Sequence, residues 1–541
     1  MTNNKRYALL SVYDKTNIVA FAEQLIKLQY TIISTGGTGK TLTENKIPFT
    51  PIQEITGNPE SFDGRMKTIS FQIEGGILFD RTNKKHTKEA QTLKVPAIDI
   101  VVCNLYPFEA TISKKSVKLD DAIENIDVGG PTMIRAAAKN FKNVLVAVDP
   151  NDYHQVINFL NNCHPELVSG SKKTKKEMLK QVQNDTSPIL FRQTLAAKAF
   201  SHLSFYDSLI ADYLSIETFT QTRTLPLRKT MDLRYGENPH QKAAVYMFPL
   251  TTSPFTNLQK QWGRELSHVN ITDINAGLES VQLFTEPVAV IIKHNCPCGI
   301  ALGKTPSQAL ERAIAADPES AFGGIIVMNQ PMDLKSAKEI GKFKDENKSN
   351  IDIVAVPEIT KDALEYLSKV RKSMGIYTFG KLNGYSDTEH IKQISGGVVI
   401  QTPDTDIDAS FKEWKVVTKK KPTKKQLDQM KIAWKFISRI KSNAIIVVDK
   451  ELPMTRGIGT GQTSRVRSTK IALSQAGKLA KDAILASDSF FPFEDSVMLA
   501  KKAGITTIIQ QGGSINDQKS IDAADKADIV MVFTGRRAFW H

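Results

Sequence analysis

Four cysteines in 541 residues (Cys103, Cys163, Cys296 and Cys298) are too few and too scattered for a disulfide framework. Two of them stand as C-x-C, not C-x-x-C. The H-x-E and P-C-x-x-C signature of zinc deaminases fails at once, because His294 is followed by Asn295 and Cys296; the expectation is no zinc. Long apolar runs are missing as well. None approaches the roughly 20 residues of a membrane span, and the opening stretch M-T-N-N-K-R-Y-A-L-L-S-V-Y-D-K reads as a first strand, not a signal peptide. A cytoplasmic protein without a membrane partner is expected. Acidic residues are in deficit: 71 Lys and Arg against 57 Asp and Glu leave a net charge of +14. That surplus suits nucleic acid, anionic small substrates or a plain lysine-rich background. The lysine runs (Lys419–Lys421 with Lys424 and Lys425; Lys172, Lys173, Lys175 and Lys176) lack the interleaved aromatic residues of a single-strand-binding surface, so no nucleic-acid partner is expected. With 41% hydrophobic and 24% charged residues, the rest is ordinary globular material.

The chain is long enough for about three to four domains. Strand-like and helix-like segments alternate over residues 1–150: Tyr7–Val12, the apolar stripe of Ile18–Leu28, Thr31–Ser34, Ile98–Leu105 and Val144–Val148. The alternation predicts a parallel α/β domain with its ligands at the carboxyl ends of the strands. A polar, basic segment, Cys163–Ser187, reads as an insert, followed by a long helix over Ile189–Leu214 and a linker over Thr220–Arg228. Beyond it, strands at Val288–Ile292, Gly324–Met328, Val398–Gln401, Ala444–Val448, Thr506–Ile509 and Ile529–Phe533 again alternate with helices.

Lys293 and His294 end the apolar run Val288–Ile292, ahead of a turn expected at Pro297 and Gly299. Neighbours on a regular strand point to opposite faces, so the chain must bend here if both are to serve one site. A Lys donor and a His that moves a proton near neutral pH together suit attack on a carbonyl. The plain alternative is a solvated Lys beside a structural His.

In the first domain, I-I-S-T-G-G-T-G-K-T resembles a P-loop, but the Walker pattern would need Gly where Ser34 stands. Strand, glycine turn and helix still make an anion site. Ser34, Thr35, Gly36, Gly37 and Thr38 are read as a monophosphate cradle, completed by Ser11, Lys15 and Thr16. Then come D-G-R-M-K-T with Arg65, Lys67 and Thr68; V-V-C-N-L-Y-P-F with Cys103, Asn104 and Tyr106; and I-D-V-G-G-P-T-M-I-R-A-A-A-K-N with Asp127 and Lys139. Together they describe a pocket for a phosphorylated, amide-bearing ring.

These motifs, with R-Y-G-E-N-P-H-Q, K-H-x-x-P-C-G, S-A-F-G-G, G-x-G-Q-x-S-R and S-D-x-F-F-P-F, form an ordered series over nearly the whole chain. The series resembles the bifunctional purine biosynthesis family, phosphoribosylaminoimidazolecarboxamide (AICAR) formyltransferase/IMP cyclohydrolase. The resemblance implies a methylglyoxal-synthase-like cyclohydrolase core at 1–150, an insert, helix and linker at 151–225, and two cytidine-deaminase-like transformylase units without zinc at 226–400 and 401–541. It also implies 10-formyltetrahydrofolate as co-substrate, a homodimer with shared transformylase sites, and a monovalent cation such as potassium in the transformylase part.

By the same resemblance, Lys293, His294 and Asn443 would carry formyl transfer. Arg234, Tyr235, His240, Arg465 and Arg537 would contact the nucleotide, and Phe322, Phe490, Pro492 and Asp495 the folate. Lys67, Tyr106, Asp127 and Lys139 would carry ring closure, with Ser11, Lys15, Ser34, Gly37, Thr38, Arg65, Thr68, Cys103 and Asn104 holding the substrate. The sequence departs from the family's K-T-L-H-P-x-x-H-G-G-I-L: Ser70 and Glu74 replace two histidines and Phe71 a proline. On these rests an alternative, a transformylase with an impaired cyclohydrolase. Cys296 stands where asparagine is usual.

Overall fold

The computed structural model describes residues 5–62, 65–163, 188–347, 350–382 and 389–541. Most of the basic insert, and Asp63 and Gly64 of the arginine loop, lie outside the described residues. The chain divides into two compact units, one formed by Met1–Arg228 with Phe248–Leu250, the other by Lys229–Met247 with Thr251–His541.

In the first unit, β1 (Arg6–Val12), β2 (Tyr30–Ser34), β3 (Thr50–Pro51), β4 (Ile98–Asn104) and β5 (Leu145–Ala147) form a sheet in the order β3-β2-β1-β4-β5. Every pairing is parallel. The central strands are buried runs of Ala, Leu, Ile and Val, as a sheet covered on both faces requires. The strand order reverses at β1, and Ser11, Ser34 and Asn104 stand at the carboxyl ends around that switch. In such sheets this is where ligands bind. Two helices, Gly36–Glu44 and Gly129–Lys139, begin just beyond these strand ends. The long helix Pro188–Leu214 packs Leu195, Ala199, Leu203 and Tyr206 into the same core.

A short ribbon of β6 (Arg228–Asp232) and β7 (Ala244–Met247) follows. The second unit is built on a repeated plan. Its first sheet contains β8 (Gln259–Trp262), β9 (Val288–Lys293), β10 (Cys296–Leu302), β11 (Gly324–Met328), β12 (Ile351–Val356) and β13 (Gly375–Thr378), in the order β10-β9-β11-β12-β13-β8. A hairpin, β14 (His390–Ile394) with β15 (Gly397–Gln401), separates it from the second sheet. That sheet contains β16 (Lys415–Val416), β17 (Ile445–Val448), β18 (Thr455–Gly459), β19 (Ile484–Ser487), β20 (Thr507–Gln510) and β21 (Val530–Phe533), in the order β16-β21-β20-β19-β17-β18. Read from the β10 and β18 ends, the two orders and their parallel and antiparallel pairings correspond strand for strand. One core cluster joins residues of both sheets, including Val290, Ile292 and Ile446, with Trp434 and Phe436 of the helix Lys424–Ile437.

One expectation is corrected here. The chain turns at His294 and Asn295, and the segment expected to turn, Cys296–Leu302, is a strand. Pro297 is tolerated because β10 lies at the edge of its sheet, and the register shifts between Pro297 and Gly299.

Candidate active sites

The carboxyl ends of β1, β2 and β4 open into a cavity of about 680 Å³. It is lined by Ser11, Lys15, Gly37, Thr38, Arg65, Lys67, Thr68, Asn104, Tyr106 and Asp127 among others, so ten of the residues expected from scattered motifs meet in one place. The loops are tied together by hydrogen bonds. Asn104 Oδ1 accepts the backbone N–H groups of Tyr13 at 2.6 Å and Asp14 at 2.9 Å. Thr38 Oγ1 accepts the Val12 N–H at 3.0 Å and donates to the Val12 carbonyl at 3.0 Å. Lys15 Nζ and Lys67 Nζ each lie 3.9 Å from where a Cβ on Gly37 and Gly36 would stand. Two ammonium groups thus flank the glycine loop at a helix N-terminus, which is the charge arrangement a phosphate needs.

Asp127 sits at the opposite wall. Its Oδ1 accepts the Gly130 N–H at 2.8 Å, capping the helix Gly129–Lys139, and its own N–H donates to Tyr206 Oη at 2.8 Å. Burial raises its carboxyl above the usual range, against the backbone N–H groups of Gly130 and Tyr106 that lower it. Burial also lowers the Lys15 ammonium. Tyr106 is exposed to 46% and lies edge-on to Tyr13.

Four expected contacts are not brought to this cavity: Thr16, whose N–H donates to Asp14 Oδ1 at 2.9 Å, and Ser34, Cys103 and Lys139. Ser34 is buried and donates to the Leu10 carbonyl at 2.9 Å, a bond between neighbouring strands. Cys103 is buried in the β4 core, and burial pushes its thiol up, so it is a packed thiol and not a donor to ligand. Lys139 lies at the far end of an eleven-residue helix that meets the cavity with Gly129 and Gly130, a separation of ~15 Å at helical rise. Two carboxylates absent from the motif reading hold the cationic loop: Glu124 pairs with Arg65, and Glu60 Oε1 lies 2.8 Å from Lys67 Nζ.

In the second unit, a cleft of about 830 Å³ is lined by Lys293, His294, Cys296, Pro297 and Cys298 from the first repeat and by Ile458, Thr460, Lys470 and Gln475 from the second. Lys293 pairs with Cys296 across the hairpin, leaving His294 (φ 56°) and Asn295 (φ 61°) as a two-residue turn with both φ values positive. Type I′ turns require this geometry, and it lets adjacent Lys and His side chains face one cleft. Lys293 Nζ donates to the Phe322 carbonyl at 2.8 Å, while the Phe322 ring is 52% exposed. Cys296 Sγ is 3.4 Å from Thr460 Oγ1, which donates to the Lys441 carbonyl at 2.8 Å. Burial raises both thiols, that of Cys298 to about 12, so neither is a nucleophile near neutral pH.

Asn443 stands behind this wall. Its Nδ2 donates to the Gln462 carbonyl at 2.8 Å and its Oδ1 accepts from Arg465 at 2.8 Å. Arg465 is itself buried in an ion pair with the fully buried Asp488, so in this state its guanidinium fixes Asn443 rather than facing solvent. Arg234 bonds Tyr235 Oη at 2.8 Å and lines a separate shallow cavity of about 590 Å³ with Trp262, Arg264 and Lys372. His240, Phe490 and Arg537 are exposed, the last stacked on Phe539 at 4.7 Å. The Pro492 carbonyl accepts from Asn516 at 2.9 Å, and Asp495 opens the helix Asp495–Ala503.

A family model described as the AICARFT/IMPCHase bienzyme matches residues 137–475, and one described as an MGS-like domain matches 17–132. The chain belongs to the AICARFT/IMPCHase bienzyme family. The bifunctional purine biosynthesis protein PurH of Thermoanaerobacter sp. (strain X514) is 44% identical over 99% of each chain. Its counterpart from Oceanobacillus iheyensis is 41% identical over 99% of each, and that from Halalkalibacterium halodurans 42% identical over 99% of this chain and 100% of its own. As a bienzyme of this family the protein performs the last two steps of IMP synthesis, formyl transfer from 10-formyltetrahydrofolate to AICAR and closure of the formylated product to IMP.

Against that activity the departures at Ser70, Phe71 and Glu74 acquire a structural reading. None of the three lines the cavity at the carboxyl ends of β1, β2 and β4. Ser70 caps the helix Phe71–Leu78 by accepting the Ile73 N–H at 3.2 Å, and Glu74 Oε2 returns to accept the Ser70 N–H at 2.7 Å. Phe71 is exposed to 62%.

Proposed function

We propose that the two reactions run at two separate sites, cyclisation at the end of the parallel sheet and formyl transfer in the cleft between the two repeats. The observation that carries this reading is the His294–Asn295 turn, which brings two sequence neighbours to one cleft. There His294 takes the proton from the 5-amino group of AICAR as it attacks the formyl carbon. Lys293 stabilises the charge on the formyl oxygen and supplies a proton to the departing folate nitrogen, while Asn443 orients the reacting groups. Formyl leaves 10-formyltetrahydrofolate as the new formamide, and tetrahydrofolate is released. Arg234, Tyr235, His240, Arg465 and Arg537 are assigned to the nucleotide, and Phe322, Phe490, Pro492 and Asp495 to the folate.

In the first unit the carboxamide nitrogen of the formylated product attacks the formyl carbon, and water is lost. Lys15, Arg65, Thr38 and Gly37 hold the phosphate, with Ser11, Thr68 and Asn104 completing the pocket. Asp127, with its raised pKa, takes the amide proton, and Lys67 and Tyr106 stabilise the oxyanion. Lys139 and Ser34 would act only through the helix and strand that carry them.

A homodimer in the cytoplasm is proposed with it. No helix among the described residues is long and apolar enough to cross a membrane. Arg234 and Tyr235 stand outside the Lys293 cleft, which supports a transformylase site completed by a second copy. Among the described residues no group of three or more His, Cys, Asp or Glu side chains could hold a metal ion. The buried Asp488 is already bonded by Arg465, Ser442 and the Ala444 N–H. No step is routed through such an ion.

Product analysis tests the function. With AICAR and 10-formyltetrahydrofolate the protein should yield IMP; accumulation of the formylated intermediate would overturn the cyclohydrolase assignment. Mixing Arg234→Ala with His294→Ala protein should restore formyl transfer if sites are shared between subunits, and failure to restore it would refute that sharing.

A further inference from the structure

The turn that presents His294 is held from outside its hairpin. Asp273 belongs to the helix His268–Val281, which packs on the sheet containing β9. Its side chain is only 3% exposed, and its Oδ1 accepts the Asn295 N–H at 2.6 Å. The His294 N–H also bonds this carboxylate, and the titratable side chains that face it are those of His294, Lys441 and Cys296. Burial disfavours the charged carboxylate and raises its pKa, and the two backbone donors offset only part of that cost. A buried carboxylate aimed at two backbone N–H groups of a left-handed turn is an expensive way to join a helix to a hairpin. Neither turn residue is glycine; His and Asn are among the side chains that tolerate positive φ, and the helix adds to that tolerance a carboxylate acceptor for both turn N–H groups in this geometry.

We propose that Asp273 is a positioning residue for formyl transfer, its carboxylate fixing the His294–Asn295 turn so that the imidazole stands beside the Lys293 ammonium in the cleft. It need not touch substrate: its effect passes through the backbone of the residue that moves the proton. A small displacement of a proton-transfer group costs rate more than binding. The inference rests on the role proposed for His294.

The test uses the full chain and measures both activities. Asp273→Ala should lower kcat for formyl transfer by roughly ten- to a hundredfold with KM values within about twofold. Cyclisation of pre-formylated substrate should be unchanged, and the KM values for formyl transfer together with an unaltered unfolding transition check that the second unit is folded. Asp273→Asn keeps an oxygen acceptor and should recover kcat to within about threefold of wild type. A kcat for Asp273→Ala within about twofold of wild type, a loss confined to KM, or an Asn variant as slow as the Ala variant would each overturn the proposal. Should Asp273→Ala fail to fold, Asp273→Ser, too short to span to Asn295, is read by the same criteria. His294→Ala is measured alongside. If it keeps formyl transfer, the role of His294 is wrong; if it loses formyl transfer while Asp273→Ala does not, only the present inference falls.

Discussion

Ser70→Ala decides whether the departures around Lys67 are catalytic losses or local folding choices. Ser70 Oγ accepts the Ile73 N–H at 3.2 Å as the N-cap of an eight-residue helix. Removing such a cap costs about 1 kcal/mol, which for a unit of this size is a fall of roughly 2–4 °C in Tm. The neighbouring Glu74 sharpens the test. One of its oxygens accepts the Ser70 N–H at 2.7 Å, while Oε1 is buried without a hydrogen-bond partner. Burial raises its carboxyl above the ordinary value of 4.5. A carboxyl raised in the folded state opposes folding once ionised. That penalty is absent below the unfolded pKa, grows as pH rises through the folded pKa, and is complete above it. Glu74→Gln keeps the acceptor and removes the penalty, so at pH 8 it should be as stable as wild type or slightly more so, with the advantage vanishing near pH 4. The assay is thermal unfolding across pH beside cyclisation of the purified formylated intermediate. Ser70→Ala should melt lower and cyclise within about twofold of wild type. A tenfold or greater fall in kcat at unchanged Tm would refute the capping argument and restore the impaired-cyclohydrolase alternative.

Four further outcomes follow from the two sites. His294→Ala should reduce formyl transfer by at least ~10²-fold, the usual weight of a proton-transfer group, and leave cyclisation intact; equal loss of both in a folded protein would contradict the two-site assignment. Asp127→Asn should abolish cyclisation alone. Because burial raises the Asp127 carboxyl, the acid limb of wild-type kcat/KM for cyclisation should lie above the ordinary value of 3.8; a limb at or below it would argue against Asp127 as the base. Tyr206→Phe strips the acceptor from the Asp127 N–H, costs about 1–3 kcal/mol for the unsatisfied group, and should slow cyclisation severalfold without touching formyl transfer. Asp488→Ala leaves the buried Arg465 unpaired and should cost about 3–5 kcal/mol, seen as a lower unfolding midpoint in denaturant.

Strand positions were legible because the β cores are unbroken apolar runs: Val288–Ile292, Gly324–Met328 and Ala444–Val448 match observed strands to within a residue. β10 was not, because Pro297 and Gly299 are turn residues by composition, and only an edge position with a register shift lets them sit in a strand. The cavity of the first unit was legible for a related reason. In a parallel sheet the residues after each strand must converge on one rim, so Ser11, Thr38 and Asn104 meet once the strands are known.

What sequence could not separate was a side chain facing that rim from one facing the core beside it. Ser34 and Cys103 differ from Ser11 and Asn104 by a single step of strand alternation or by one residue past the strand end, and a motif carries no mark of that parity. The reverse omission has the same origin. Asp273, Glu60, Glu124 and Tyr206 act by holding a backbone or a cation from a different element. Their sequence surroundings are ordinary helix or loop, and for Asp273, Glu124 and Tyr206 the group they hold lies 21 or more residues away in the chain. A carboxylate such as Asp273, at 3% exposure, is costly to bury without return. It identifies itself only when the structure shows which N–H groups it meets, and here these are the backbone donors of the turn that carries the His294 imidazole.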